Sequence, residues 1–120
     1  MEIPIPLHAG QQYTECARIY NPIHTEPSVA KAAGLPGIIL HGSATKAMSL
    51  TAVVNRCFDG DATRITRLCG QLRGMVLMDS AIAVEALAEE VVDGEKRILF
   101  RTLNAEGEAA IRNGVVCGRA

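Results

Sequence analysis

Sixteen consecutive residues, Ser43 to Phe58, contain neither glycine nor proline, and most of the chain beyond them alternates like β-strand. That order constrains the fold more than any other feature of the chain. Ala44, Ala47, Met48, Thr51, Val54 and Phe58 form one stripe at helical spacing. Leu50, Val53 and Cys57 extend the apolar surface around most of the circumference, which predicts a helix buried on several sides. Asp59-Gly60-Asp61 ends it. Residues 65–76 and 82–89 then alternate at period two. Asp93-Gly94 signals a tight hairpin into Arg97–Leu103, and a turn at Glu106-Gly107 leads into Ala109–Cys117. One buried helix followed by hairpin-connected strands requires an antiparallel sheet wrapped around the helix, an α+β architecture. At 120 residues, without internal repeat, linker or low-complexity segment, the chain reads as a single domain, 1–120.

Ahead of that helix the elements are shorter. Ile3-Pro4-Ile5-Pro6-Leu7 suits an edge strand or extended lead-in, because proline cannot donate to a central ladder. Tyr13, Cys16, Ala17 and Tyr20 fall at helical spacing and predict a short helix running toward Asn21-Pro22, where the pre-proline position ends it. Thr25 is placed to cap a second short helix starting at Pro27, and Gly34 supplies its left-handed stop. The apolar run Ile38-Ile39-Leu40 leads to His41-Gly42-Ser43.

Composition excludes several roles. The net charge is −1, with no run of Lys or Arg, and aromatic residues make up 3% with no Trp. The chain therefore lacks both the basic patch and the stacking platforms that nucleic acid requires, and nothing suits it to a membrane surface. The same scarcity implies a core of Ala, Val, Leu, Ile and Met. Cys16, Cys57, Cys69 and Cys117 show no zinc or redox spacing and read as free, mostly buried thiols. No apolar stretch is long enough to span a bilayer, and the first ten residues lack the basic and apolar regions of a secretory leader, so a reducing cytoplasm is the expected compartment.

The chemistry concentrates between Tyr20 and Ser43. Asn21-Pro22 fixes a tight turn that presents His24, a base of near-neutral pKa, on a rigid loop. Gly42, at the start of the long helix, offers an unhindered amide where the helix dipole is positive. A general base and an oxyanion donor are the two parts that addition of water to an activated double bond requires. Taken alone, His41 reads as a helix-capping or core histidine. His8 has no evident role, and the three histidines show no metal-ligand spacing.

Asn21-Pro22-Ile23-His24, then Glu26-Pro27 with Ala30, then Gly34-Leu35-Pro36-Gly37-Ile38-Ile39-Leu40-His41-Gly42, resembles the signature of the MaoC-like dehydratases, which include the (R)-specific enoyl-CoA hydratases (hydratase 2). The resemblance is densest from Tyr13 to Thr45 and continues more loosely through Leu72-Arg73-Gly74-Met75-Val76. It implies a hot-dog fold, usually paired as a homodimer or higher homo-oligomer. It also implies reversible hydration of trans-2-enoyl-CoA thioesters to 3-hydroxyacyl thioesters, with no cofactor beyond the coenzyme A of the substrate. Carried over by position, His24 is the catalytic histidine, Asn21 the motif asparagine and Gly42 the amide donor. His41 and Ser43 beside that amide are candidate substrate contacts. Arg64, Arg67 and Arg73 are candidates for the CoA phosphates.

The chain departs from the pattern at one place. The family's catalytic Asp lies two residues before the motif Asn, where this chain has Ile19, preceded by Arg18 instead of Gly. Loss of one acid–base group costs about 100- to 10,000-fold in rate. Glu15 and Glu26 are candidate surrogate acids; each also reads as a solvated surface carboxylate. The competing function is therefore a catalytically reduced acyl-thioester-binding or partner subunit. A hot-dog thioesterase or acyl-carrier-protein dehydratase would be expected to carry an acid on the central helix, and residues 43–58 contain neither Asp nor Glu.

Overall fold

Proline decides where the first strand can go. In a computed structural model describing residues 1–120, β1 (Glu2–Ile5) lies at the edge of the sheet, where the missing N–H of Pro4 interrupts no second ladder. The other strands are β2 (Ile65–Leu72), β3 (Ser80–Val92), β4 (Glu95–Leu103) and β5 (Ala109–Arg119). They form one antiparallel sheet in the order β1-β3-β4-β5-β2. Asp93 and Gly94, with φ of 53° and 79°, make the expected hairpin turn between β3 and β4. The alternation after Leu72 is not strand. Arg73 and Gly74 donate to Ala110 and Ala109, while the Val76 carbonyl accepts from Leu40, so this segment ties β5 to the helix entrance.

Three helices precede β2. α1 (Ala9–Ala17) ends sooner than its apolar spacing suggests, because Arg18 turns left-handed at φ 58° and its amide donates to the Thr14 carbonyl. α2 (Pro27–Ala32) opens on proline as expected, but Glu26, not Thr25, holds the capping position. α3 (Gly42–Cys57) is the long helix and lies against the sheet. No helix is long and apolar enough to cross a membrane.

The buried face of α3 differs from the predicted stripe. Ala44, Thr45, Ser49 and Val53 point inward, Ala47 and Thr51 are exposed, and Leu50 and Val54 are half-buried. The sheet of one chain covers one side of the helix, so apolar residues around its circumference are not all enclosed. The inward face carries hydroxyls that bond locally. Thr45 donates to the His41 carbonyl, Ser49 to the Thr45 carbonyl at 2.8 Å, and Thr102 of β4 to Ser49 at 2.7 Å. Below the helix the core divides into two clusters, one around Ile5, Leu40, Val76 and Ile82, the other around Val53, Val84, Ile98 and Ile111. The second also encloses Phe58 and Phe100, both the chain's phenylalanines, so the expectation of a purely aliphatic core is corrected. All four cysteines are free, and only Cys117 is buried; Cys16 is exposed and the other two are half-buried.

The Ser49–Thr102 pair yields a stability prediction. Ser49→Ala strands the Thr102 hydroxyl in a dry site and should cost about 1–3 kcal/mol in urea unfolding. Thr102→Val removes the donor itself and should cost less, and the double variant should be less destabilised than the sum of the two.

Candidate active site

The loop bearing His24 is fixed by its own short-range hydrogen bonds. Asn21 caps a 3₁₀ turn, Pro22–His24, by accepting the Ile23 amide on Oδ1 at 3.3 Å. Its carbonyl accepts the His24 amide at 3.1 Å. Asn21 is therefore engaged in shaping the turn, as the sequence chemistry of Asn-Pro suggests. α1 then packs directly on the turn, because a side chain at Gly10 would run into the His24 carbonyl oxygen.

The His24 ring is held from the other side. Its Nδ1 lies 2.7 Å from the Ile39 carbonyl. A carbonyl can only accept, so Nδ1 carries the proton and Nε2 is the basic nitrogen. Ile39 is itself anchored, with its amide on the Ile23 carbonyl and a bridge to Leu77, while the Leu40 amide bonds Val76 at 2.7 Å. The apolar run 38–40 is thus a strap between the His24 turn and the segment after β2.

His24 opens onto a cavity of about 180 Å³ whose walls include Gly42, Thr45, Leu72, Arg73 and Val76. Gly42 opens α3, so its amide is among the first-turn N–H groups that no helix carbonyl can pair, at the positive end of the dipole. Any side chain there would meet Leu72, whose Cδ1 lies 2.6 Å from the position of a Cβ. The cavity therefore brings together a base and an amide donor, with Arg73 as the only other ionisable side chain in its lining.

Other candidates lie elsewhere. His41 is 2% exposed and does not line the cavity; its ring stacks on that of His24 at 3.8 Å between centroids. Ser43 is exposed and accepts a hydrogen bond from the Tyr13 hydroxyl. Ile19 is 40% exposed and outside the cavity lining. Glu15 and Glu26 line a separate cavity with Gln11, Thr14 and Tyr20. α1 ends at Ala17, so Glu15 and Ile19 do not share a helical face. Arg64 is engaged with Asp59 and with backbone carbonyls, whereas Arg73 sits in the cavity wall. Thr14, Thr45 and Leu72 escape sequence reasoning. Thr45, three residues after Gly42, shares its helical face and so left a signal; Leu72 left none, because only folding brings β2 to the helix start.

Burial first, and the neighbouring His24 second, pull His41 below the ordinary imidazole value, opposed by the Ile19 backbone. A lowered folded-state pKa means the unfolded chain binds the proton more readily. The His41 contribution to stability is thus complete above about pH 6.5 and is lost as pH falls through the folded-state value. Unfolding free energy measured against pH should decline on this acid side, and His41→Phe should remove that component. Separately, Gly10→Ala should destabilise by about 1–3 kcal/mol through overpacking and displace the His24 turn, read by thermal unfolding and by the His24 NMR signals.

Known proteins resemble this chain in sequence and fold. The model of the family described as MaoC like domain matches residues 11–110. The fatty acid synthase beta subunit pkiC of Emericella nidulans is 31% identical over 103 residues, 86% of this chain and 5% of that protein. The peroxisomal enoyl-CoA hydratase 2 of Arabidopsis thaliana is 29% identical over 97 residues, 81% of this chain and 30% of that one. Among solved structures, the MaoC-like dehydratase of Phytophthora capsici superposes with a TM-score of 0.87 at 22% identity, over 98% of this chain and 39% of that one. The chain thus has the hot-dog fold of this structure and spans less than a third of the length of these two sequence relatives.

Proposed function

The chain belongs to the MaoC-like domain family, and on that premise we propose that it hydrates a trans-2-enoyl-CoA thioester reversibly, with His24 as base and the Gly42 amide as oxyanion donor. The observation that carries this reading is the pairing of a tautomerically fixed His24 with the start of α3 across one small cavity. The names of relatives, enoyl-CoA hydratases among them, support the same reaction class.

The cavity lining holds no carboxylate, so one base serves both proton transfers. Water held at Nε2 gives up a proton as its oxygen bonds to the β-carbon. The thioester carbonyl takes the negative charge and meets the Gly42 amide and the positive end of α3. Nε2–H then delivers the same proton to the α-carbon. One O–H bond and the π bond between the α- and β-carbons are exchanged for a C–H and a C–O bond, and the base is regenerated. The Ile39 carbonyl on Nδ1–H steadies the imidazolium between the two steps. No cofactor is required beyond the CoA of the substrate, with Arg73 at the cavity wall as a contact for its polar portion. A homodimer fits the exposed Leu68 on edge strand β2 and the exposed Ala47 and Thr51 on α3.

The absence of a second acid–base group favours a specific alternative, an acyl-thioester-binding partner subunit of low turnover. Loss of the conjugated thioester absorbance of a short trans-2-enoyl-CoA separates the two. Turnover that falls by about 100-fold or more in His24→Gln supports the hydratase. Binding without turnover supports the partner subunit. Glu15→Gln and Glu26→Gln should each leave kcat/KM unchanged; a large loss in either would make that residue the missing acid.

A further inference from the structure

His41 stands outside the substrate cavity, yet its ring is constrained on every side. Its Nε2 lies 3.0 Å from the Thr14 hydroxyl, Tyr13 is tilted over it at 4.7 Å, and His24 is stacked on it at 3.8 Å with 23° between the planes. Its backbone is the capping residue of α3 and is bonded directly to Gly42. One residue therefore joins the base to the amide donor. The ring's Nδ1 is buried and short of a full hydrogen bond, with the Ile19 backbone as its polar neighbour.

We infer that His41 is a positioning residue for the reaction: its neutral ring is the plate that holds the His24 imidazole in one orientation and faces the positive charge that His24 acquires in proton transfer. This deepens the hydratase reading and rests on it. The chemistry is that of a cation over an aromatic face in a desolvated site. The titratable side chains stacked on His41 are Tyr13 from α1 and His24 from the 3₁₀ turn, and neither is a carboxylate that would draw a proton onto it. Burial first, and His24 beside it second, hold His41 below the ordinary imidazole value, which disfavours a charge on the plate. Thr14 fixes the rotation of the plate.

Three variants test this, His41→Phe, His41→Ala and Thr14→Val, in enoyl-CoA hydration and in nitrogen-15 NMR of the His24 ring without substrate. His41→Ala should lower kcat by up to about 100-fold, the effect of a misplaced catalytic group, with KM unchanged. His41→Phe should recover most of that loss, since it keeps the aromatic face. Thr14→Val should fall between them. The NMR spectrum should show a single His24 tautomer, protonated on Nδ1, in the parent protein and in His41→Phe, and exchange between tautomers in His41→Ala. Raised KM with kcat intact in His41→Ala would make the residue a substrate contact and overturn the inference, as would His24 signals identical in all proteins. The NMR arm decides the question even for a protein with no turnover, in which case the hydratase reading fails and the positioning role stands or falls separately. If His41→Ala does not fold, Thr14→Val carries the same comparison.

Discussion

The short hydrogen bond from His24 Nδ1–H to the Ile39 carbonyl is the constraint around which the site is organised. It selects the tautomer, and with it which nitrogen is basic. It also requires Ile39 to stay where it is, and three backbone ties do that, to Ile23, to Leu77 and, through Leu40, to Val76. Local turn, strap and sheet are therefore linked in one hydrogen-bonded unit. The approach of α1 completes it, with Gly10 against the His24 carbonyl. A histidine on an unsupported loop would sample many rotamers; here a backbone carbonyl holds Nδ1 and the His41 ring stacks on the imidazole.

A second layer of order comes from buried polar groups. Thr14, Thr45, Ser49, Thr102 and the two histidines are buried, and most are paired with one another or with helix carbonyls. In a dry interior such groups specify geometry, since each satisfies its bonding in few arrangements. The inward face of α3 is accordingly a mix of small apolar residues and hydroxyls rather than an aliphatic stripe. A hydrophobicity pattern misses it because Thr and Ser that bond to carbonyls four residues back hide their polarity from solvent. Phe58 and Phe100 fill the space that small residues leave beneath the helix.

The missing carboxylate acquires a definite meaning once the surroundings are known. Ile19 follows a left-handed residue beyond the end of α1 and stands outside the cavity. The walls around His24 and Gly42 are therefore complete without a side chain from position 19. Glu15 and Glu26 are near in sequence, but lie in a different cavity on the side of Thr14. The left-handed turn at Arg18 ends α1 between Glu15 and Ile19, and Glu26 sits at the start of α2.

The sequence by itself determined the long helix, the hairpin at Asp93-Gly94, the edge position of a proline-bearing strand and the rigid Asn21–His24 turn. Each depends on local chemistry: glycine and proline set backbone geometry, and an Asn side chain closes its own turn. Tertiary structure alone decided which face of α3 is covered, that Leu72 meets Gly42, that His41 stacks on His24 instead of facing substrate, and that no carboxylate shares the cavity. Those depend on contacts between residues up to some tens of positions apart. A single sequence carries little trace of them, because the same periodicity is compatible with several rotations of a helix against a sheet.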